Sequence, residues 1–131
     1  MKSVGRHLVM ELWGCENLNS PEIVERALLD IVEALNLTLL SLNVHPFSPI
    51  GVTGVAIVSE SHVVIHTWPE LGYAAVDVFT CGDTDPATVL AYLREEIDLG
   101  EVSVRAVPRF VTDGRRDHRI ETDEPKLAAS A

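Results

Sequence analysis

The stretch from Val58 to Asp83 reads V-S-E-S-H-V-V-I-H-T-W-P-E-L-G-Y-A-A-V-D-V-F-T-C-G-D. It holds two β-rich runs, Ser61 to Trp68 and Tyr73 to Cys81, divided by a Pro69-Glu70-Leu71-Gly72 turn. A third run, Gly51 to Ser59, precedes them, and a turn near Ser59-Glu60-Ser61 makes a hairpin of the first pair. Three successive strands therefore occupy the middle of the chain, and the flanking segments must cover them.

Upstream, Gly5 to Trp13 reads as a first strand ending at Gly14. Ser20-Pro21-Glu22 is a helix start: serine can cap, proline at the first helical position loses nothing by lacking an N–H, and glutamate suits the first turn. Val24, Leu28, Ile31 and Leu35 recur at helical spacing, with Asn36 as the end. Leu37 to Val44 reads as a half-buried strand, and the two prolines in His45 to Pro49 predict a loop. Downstream, Asp85-Pro86 repeats the cap and proline, Val89, Leu90, Leu93 and Ile97 mark a buried face, and Gly100 is the expected stop. Glu101 to Val107 alternates like a last strand that Pro108 closes.

The order β-α-β-β-β-β-α-β predicts an α+β two-layer sandwich, a mainly antiparallel sheet with both helices on one face. The apolar strand pattern asks for cover on the other face as well, which predicts a dimer. Residues 1–110 are expected to form the domain and 111–131 a charged, mobile tail. At 131 residues the chain suits one domain, and with 47% apolar but only 5% aromatic residues its core must be aliphatic. A net charge of -10 argues against nucleic acid and favours a cationic ligand. No run is long enough for a bilayer span and the first residues lack a secretory pattern, so a cytoplasmic protein with two free thiols, Cys15 and Cys81, is expected.

Three chemistries can be read into the central stretch. A metal site is disfavoured, because four strand residues place His62 and His66 roughly 13 Å apart, while zinc needs bonds of about 2 Å. A Ser-His hydrolase is disfavoured by the missing G-x-S-x-G elbow. In the third, Ser61 attacks the Glu60 carbonyl, converting the amide to an ester. Loss of the Ser61 α-proton then expels the Glu60 carboxylate, and the dehydroalanine left behind hydrolyses to a pyruvoyl group. That path needs a base and an oxyanion donor, roles open to His66 and to a hydroxyl such as Thr53. These residues also have plainer readings: serine is a common turn former, free cysteine a small hydrophobe, threonine a strand former. Composition and spacing alone do not choose among them.

Resemblance does choose. Glu60-Ser61-His62, Ile65-His66-Thr67-Trp68-Pro69-Glu70 and Gly72 to Gly82, with Gly5-Arg6-His7-Leu8 and the segment His45 to Gly54, resemble the prokaryotic pyruvoyl-dependent S-adenosylmethionine decarboxylases over roughly Met1 to Val107. The resemblance implies self-cleavage between Glu60 and Ser61, giving a β chain of residues 1–60 and a pyruvoyl-headed α chain of 61–131. It further implies His66 as processing base, Cys81 as the acid that protonates the substrate carbon after CO2 leaves, and Thr53 in a place where many members have serine. Phe47, Trp68 and Glu70 become substrate contacts. The implied cofactor is the pyruvoyl group itself, an electron sink joined to substrate as a Schiff base, without metal or pyridoxal phosphate. The implied product is decarboxylated S-adenosylmethionine, the aminopropyl donor for spermidine, made by a homodimer of processed αβ protomers whose sites lie near the subunit interface. Neither nucleic acid nor membrane is an expected partner. Arginine or ornithine as substrate, or an unprocessed regulatory homologue, are the competing expectations.

Overall fold

Each cap-and-proline signal starts a helix in the computed structural model, which describes residues 2–111. Ser20 Oγ accepts from the Ile23 N–H at 3.2 Å and Pro21 opens α1, Pro21–Ala34. Asp85 accepts from the Ala87 N–H at 2.9 Å and Pro86 opens α2, Pro86–Glu96. The strands are β1 (Lys2–Leu12), β2 (Thr38–Pro46), β3 (Val52–Ser59), β4 (Ser61–Trp68), β5 (Tyr73–Thr80) and β6 (Val102–Val111). They form one sheet in the order β2-β3-β4-β5-β1-β6, every neighbouring pair antiparallel. The α+β sandwich and its element order are as the sequence predicts.

Period-two alternation sorts the side chains. Leu8, Met10 and Leu12 of β1, Ala56 and Val58 of β3, Val63 and Ile65 of β4, and Ala74, Val76 and Val78 of β5 are buried beneath the helices. Val24, Ala27, Leu28 and Ile31 of α1, with Val89 and Leu93 of α2, complete that core. Burial of each Val, Leu, Ile or Met among them contributes about 1.5–3 kcal/mol, so this face holds the fold. Helix α1 crosses β3 at Gly54, where an added Cβ would lie 2.7 Å from both Leu28 Cδ1 and Val24 Cγ1.

The opposite face carries no helix. In rows across the strands it presents His45, Thr53, His66, Ala75 and Glu11, then Asn43, Val55, Val64, Asp77 and Val9, then Ser41, Ile57, His62, Phe79 and His7. Val9, Val55 and Val64 are half-buried, and Ile57 and Val107 are exposed.

Four boundaries differ from expectation, each for a physical reason. Strand β1 starts at Lys2, not at Gly5, because Lys2 and Ser3 pair with Val111 and Phe110 of β6. Strand β2 runs through His45 to Pro46, and β6 runs through Pro108 to Val111. Both are edge strands, where a missing N–H on the outer side removes no ladder bond. Helix α2 ends at Glu96, not at Gly100: Ile97 is extended and turns its side chain into the core. Gly100 serves a close approach instead, since a Cβ there would lie 2.5 Å from the Trp13 carbonyl oxygen. The expected tail falls outside the described residues from Thr112 onward. No described helix is long and apolar enough to cross a membrane.

Gly54→Val should lower folding stability by about 1–3 kcal/mol, the cost of forcing atoms into a filled core. Urea unfolding would read this as a lower midpoint, and an unchanged midpoint would mean that α1 does not press on β3.

Candidate active site

The β3–β4 turn brings Glu60 and Ser61 to one end of the sheet. Ser61 Oγ donates to the Glu60 carbonyl oxygen, so the hydroxyl lies against the carbonyl of its own preceding residue. Cys81, just past the end of β5, donates its Sγ–H toward the same oxygen at 3.9 Å and toward Glu60 Oε2 at 3.8 Å. Cys81 is exposed, whereas Cys15 is buried, and burial pushes the Cys15 thiol pKa up. Ser61 stands between two hollows. One, of about 430 Å³ on the helix side, is lined by Glu60, Cys81, Asp83, Thr84 and Thr88. The other, of about 480 Å³ on the helix-free side, is lined by His62, Phe79, Arg109 and Phe110.

The other expected site residues lie elsewhere. Register pairs Val58 with Ser61 and therefore Thr53 with His66. Thr53 Oγ1 and His66 Nδ1 are 2.9 Å apart on the helix-free face, a hydrogen bond that leaves Nε2 as the ring's other polar atom. Five residues of strand separate Ser61 from His66, about 16 Å at a strand's usual rise. Phe47, Trp68 and Glu70 cluster at the His66 end: Phe47 follows β2, Trp68 ends β4, and Glu70 sits in the 3-10 turn Pro69–Leu71. One chain thus brings together Glu60, Ser61 and Cys81, and separately Thr53, His66 and Trp68, with Phe47 and Glu70 in the turns at that end of the sheet.

Around the second group are residues that sequence reasoning missed. Tyr73 packs its ring 5.2 Å from Trp68 and 6.5 Å from Trp13, and its hydroxyl donates to Glu11 Oε2. Burial, then the Glu11 hydrogen bond, push the Tyr73 pKa up to about 12, which keeps this phenol a donor. His45 sets its ring edge-to-face 4.7 Å from Phe47. Their closeness in sequence was the readable signal, since Phe47 lies one residue past the end of β2. Nothing local in sequence joins Glu11 to Tyr73.

His62 lies in a different row from His66, against His7 and Phe79 at 5.9 and 5.8 Å between ring centres. His7 Nε2 is buried without a hydrogen bond among the described residues, and Asp77 Oδ1 at 3.8 Å is beyond hydrogen-bond length. Desolvation lowers the His7 pKa, with Asp77 opposing and His62 and Arg109 assisting.

A family model described as S-adenosylmethionine decarboxylase matches residues 6–110. An S-adenosylmethionine decarboxylase proenzyme of Thermomicrobium roseum is 55% identical over 111 residues, covering 83% of this chain and 96% of that one. The protein of the same name from Methanococcus maripaludis strain C7 is 51% identical over 129 residues, covering 96% and 99%. The crystal structure of the adenosylmethionine decarboxylase from Aquifex aeolicus VF5 is similar with a TM-score of 0.75 at 30% identity, over 90% of this chain and 100% of that one.

The lowered His7 pKa has a sign that can be measured. The folded chain resists a proton that the unfolded chain accepts near 6.5, so the stability from neutral His7 is present above that pH and lost as pH falls below it. Between about pH 8 and about pH 5, the unfolding midpoint should fall further for the parent than for His7→Phe. Equal falls would show that His7 takes no part.

Proposed function

The chain belongs to the S-adenosylmethionine decarboxylase family, and on that premise we propose that it cuts itself between Glu60 and Ser61 and then decarboxylates S-adenosylmethionine. The observation that carries this reading is the contact of Ser61 Oγ with the Glu60 carbonyl, with Cys81 Sγ 3.9 Å from the same oxygen. The nucleophile's hydroxyl touches the oxygen of the carbonyl it would attack, and an acid stands beside that oxygen. Attack transfers the Glu60 acyl group from nitrogen to Oγ. Removal of the Ser61 α-proton expels the Glu60 carboxylate, and hydrolysis leaves a pyruvoyl group at position 61 and releases ammonia.

The residues present suit that group, since the hollows on both sides of Ser61 leave its ketone open to a substrate amine. Once formed, it supplies an electron sink for the pair left when the carboxyl group departs as CO2. Cys81 delivers the proton that replaces the carboxyl group on the substrate carbon. Its exposed position fits a group that must exchange protons with solvent between turnovers.

His66 cannot reach the Ser61 α-proton of its own chain across about 16 Å of strand. A second copy supplies it. When two helix-free faces pack about a two-fold axis, the Ser61 end of one sheet meets the Thr53–His66 end of the other, and the half-buried valines of that face gain cover. In that homodimer Thr53 holds His66 Nδ1, leaving Nε2 to take the proton, and the same hydroxyl is available to the tetrahedral oxyanion. Phe47 and Trp68, 50% and 40% exposed in one chain, become walls of the partner's site. Flat aromatic faces suit an adenine ring and a sulfonium cation, with Glu70 adding a negative charge. A cytoplasmic place agrees with a substrate of general metabolism and with the free thiol that the acid role requires.

CO2 release should be measured side by side from S-adenosylmethionine, arginine and ornithine. Release from S-adenosylmethionine alone is expected, and release confined to a plain amino acid would overturn the substrate. The shared site has its own test. His66→Ala alone should slow cleavage at least about 100-fold, as loss of a general base does, and Ser61→Ala should abolish it. When the two variants are co-expressed, the His66→Ala chain should be cut by its Ser61→Ala partner, and a chain still intact in the mixed dimer would exclude action between copies.

A further inference from the structure

Gly5-Arg6-His7-Leu8 has no part in the reaction described so far, yet Arg6 reaches the loop that carries the acid. We propose that Arg6 is a positioning residue for Cys81, clamping the Cys81–Asp85 loop against the start of β1. This inference rests on the proposed role of Cys81 as proton donor.

Residues 8, 10 and 12 of β1 point into the helix-side core, and Arg6 continues that face where the core ends. Its register partner on β5 is Thr80, the residue before Cys81. From there the guanidinium Nη2 donates to the carbonyl oxygen of Thr84, 78 positions away in sequence. A second tie runs parallel to it: Thr80 Oγ1 and Thr84 Oγ1 are 2.7 Å apart, and both threonines are buried. The loop is thus pinned at Thr84 from two sides, while Cys81 at its head stays exposed toward Glu60. Gly5 sets the close approach of β1 that makes this reach possible, since a Cβ there would lie 2.8 Å from the Thr80 carbonyl oxygen.

Stability alone does not account for an arginine at this place. Its Nε is buried with no acceptor among the described residues, and a hydrocarbon side chain would fill the space without stranding that donor. What a hydrocarbon could not do is hold a loop carbonyl. Loop placement matters here because the reaction has two places to put one proton. The electron pair left by CO2 can be protonated at the substrate carbon, which gives the amine product. It can also be protonated at the carbon that was the Ser61 Cα. In that case hydrolysis would leave the substrate nitrogen on residue 61, water would supply the oxygen of a released aldehyde, and residue 61 would end as an inactive alanine. An acid displaced by about an ångström loses rate, and it also loses the choice between these two carbons.

Arg6→Ala and Arg6→Lys should be compared with the parent in two measurements. Amide hydrogen exchange in Gly82 to Asp85 should quicken at least about tenfold in Arg6→Ala, more than in the core strands, with partial restoration in Arg6→Lys, which keeps one cationic donor. In turnover, kcat should fall about 10- to 100-fold, and alanine at residue 61, read by mass and by a newly sequenceable α-chain N-terminus, should accumulate in fewer turnovers. Unchanged exchange in the loop, exchange raised equally throughout the chain, or an unchanged alanine yield per turnover would each overturn the clamp. Should Arg6→Ala fail to fold, Arg6→Lys decides by the same readouts. A parent that releases no CO2 would sink the decarboxylase reading, while the exchange measurement would still decide whether Arg6 holds the loop.

Discussion

Everything in this fold's chemistry follows from the register of one hairpin. With Val58 opposite Ser61, Thr53 must stand opposite His66, and both then face away from the helices. A slip of one residue would turn that pair into the core and bring Val63 and Ile65 out of it. The register is therefore enforced by the same aliphatic burial that stabilises the domain. The hydroxyl–imidazole contact at 2.9 Å is a by-product of packing strength on the other side of the sheet.

The same constraint divides the site. A strand is stiff and about 3.3 Å long per residue, so no side-chain motion lets His66 serve the Ser61 of its own chain. The proposed two-fold pair of copies would join these two groups at opposite ends of one face, each copy giving a nucleophile and receiving a base. On that face His7 Nε2 is already buried within a single chain, without a hydrogen-bond partner among the described residues.

Much of the fold was legible because local rules agree with the global arrangement. Ser20-Pro21 and Asp85-Pro86 announce the helices by capping chemistry, and Val63, Ile65, Ala74, Val76 and Val78 announce a buried face by alternation. Misreadings arose where a residue's meaning depends on a distant neighbour. Pro46 and Pro108 read as strand breakers until the sheet order places both on edges, and Gly100 reads as a helix stop until the Trp13 carbonyl is found against it. For the site, residue types and spacing proposed Ser61, His66 and Thr53 as candidates, and the roles came from resemblance to a family. The separation of Ser61 from His66 was implicit in strand spacing, the same spacing that set His62 apart from His66. Tyr73 with Glu11, and Arg6 with Thr84, are contacts between distant segments that no single stretch contains.

The proposed self-cleavage at Glu60–Ser61 is the step on which every later one depends, and the intact mass of the purified protein after denaturation tests it most directly. Two chains are expected, residues 1–60 ending in a free Glu60 carboxylate and residues 61–131 headed by a pyruvoyl group that resists N-terminal sequencing and reacts with a hydrazine. A single uncut chain after prolonged incubation, or a second chain beginning with an ordinary serine, would contradict it.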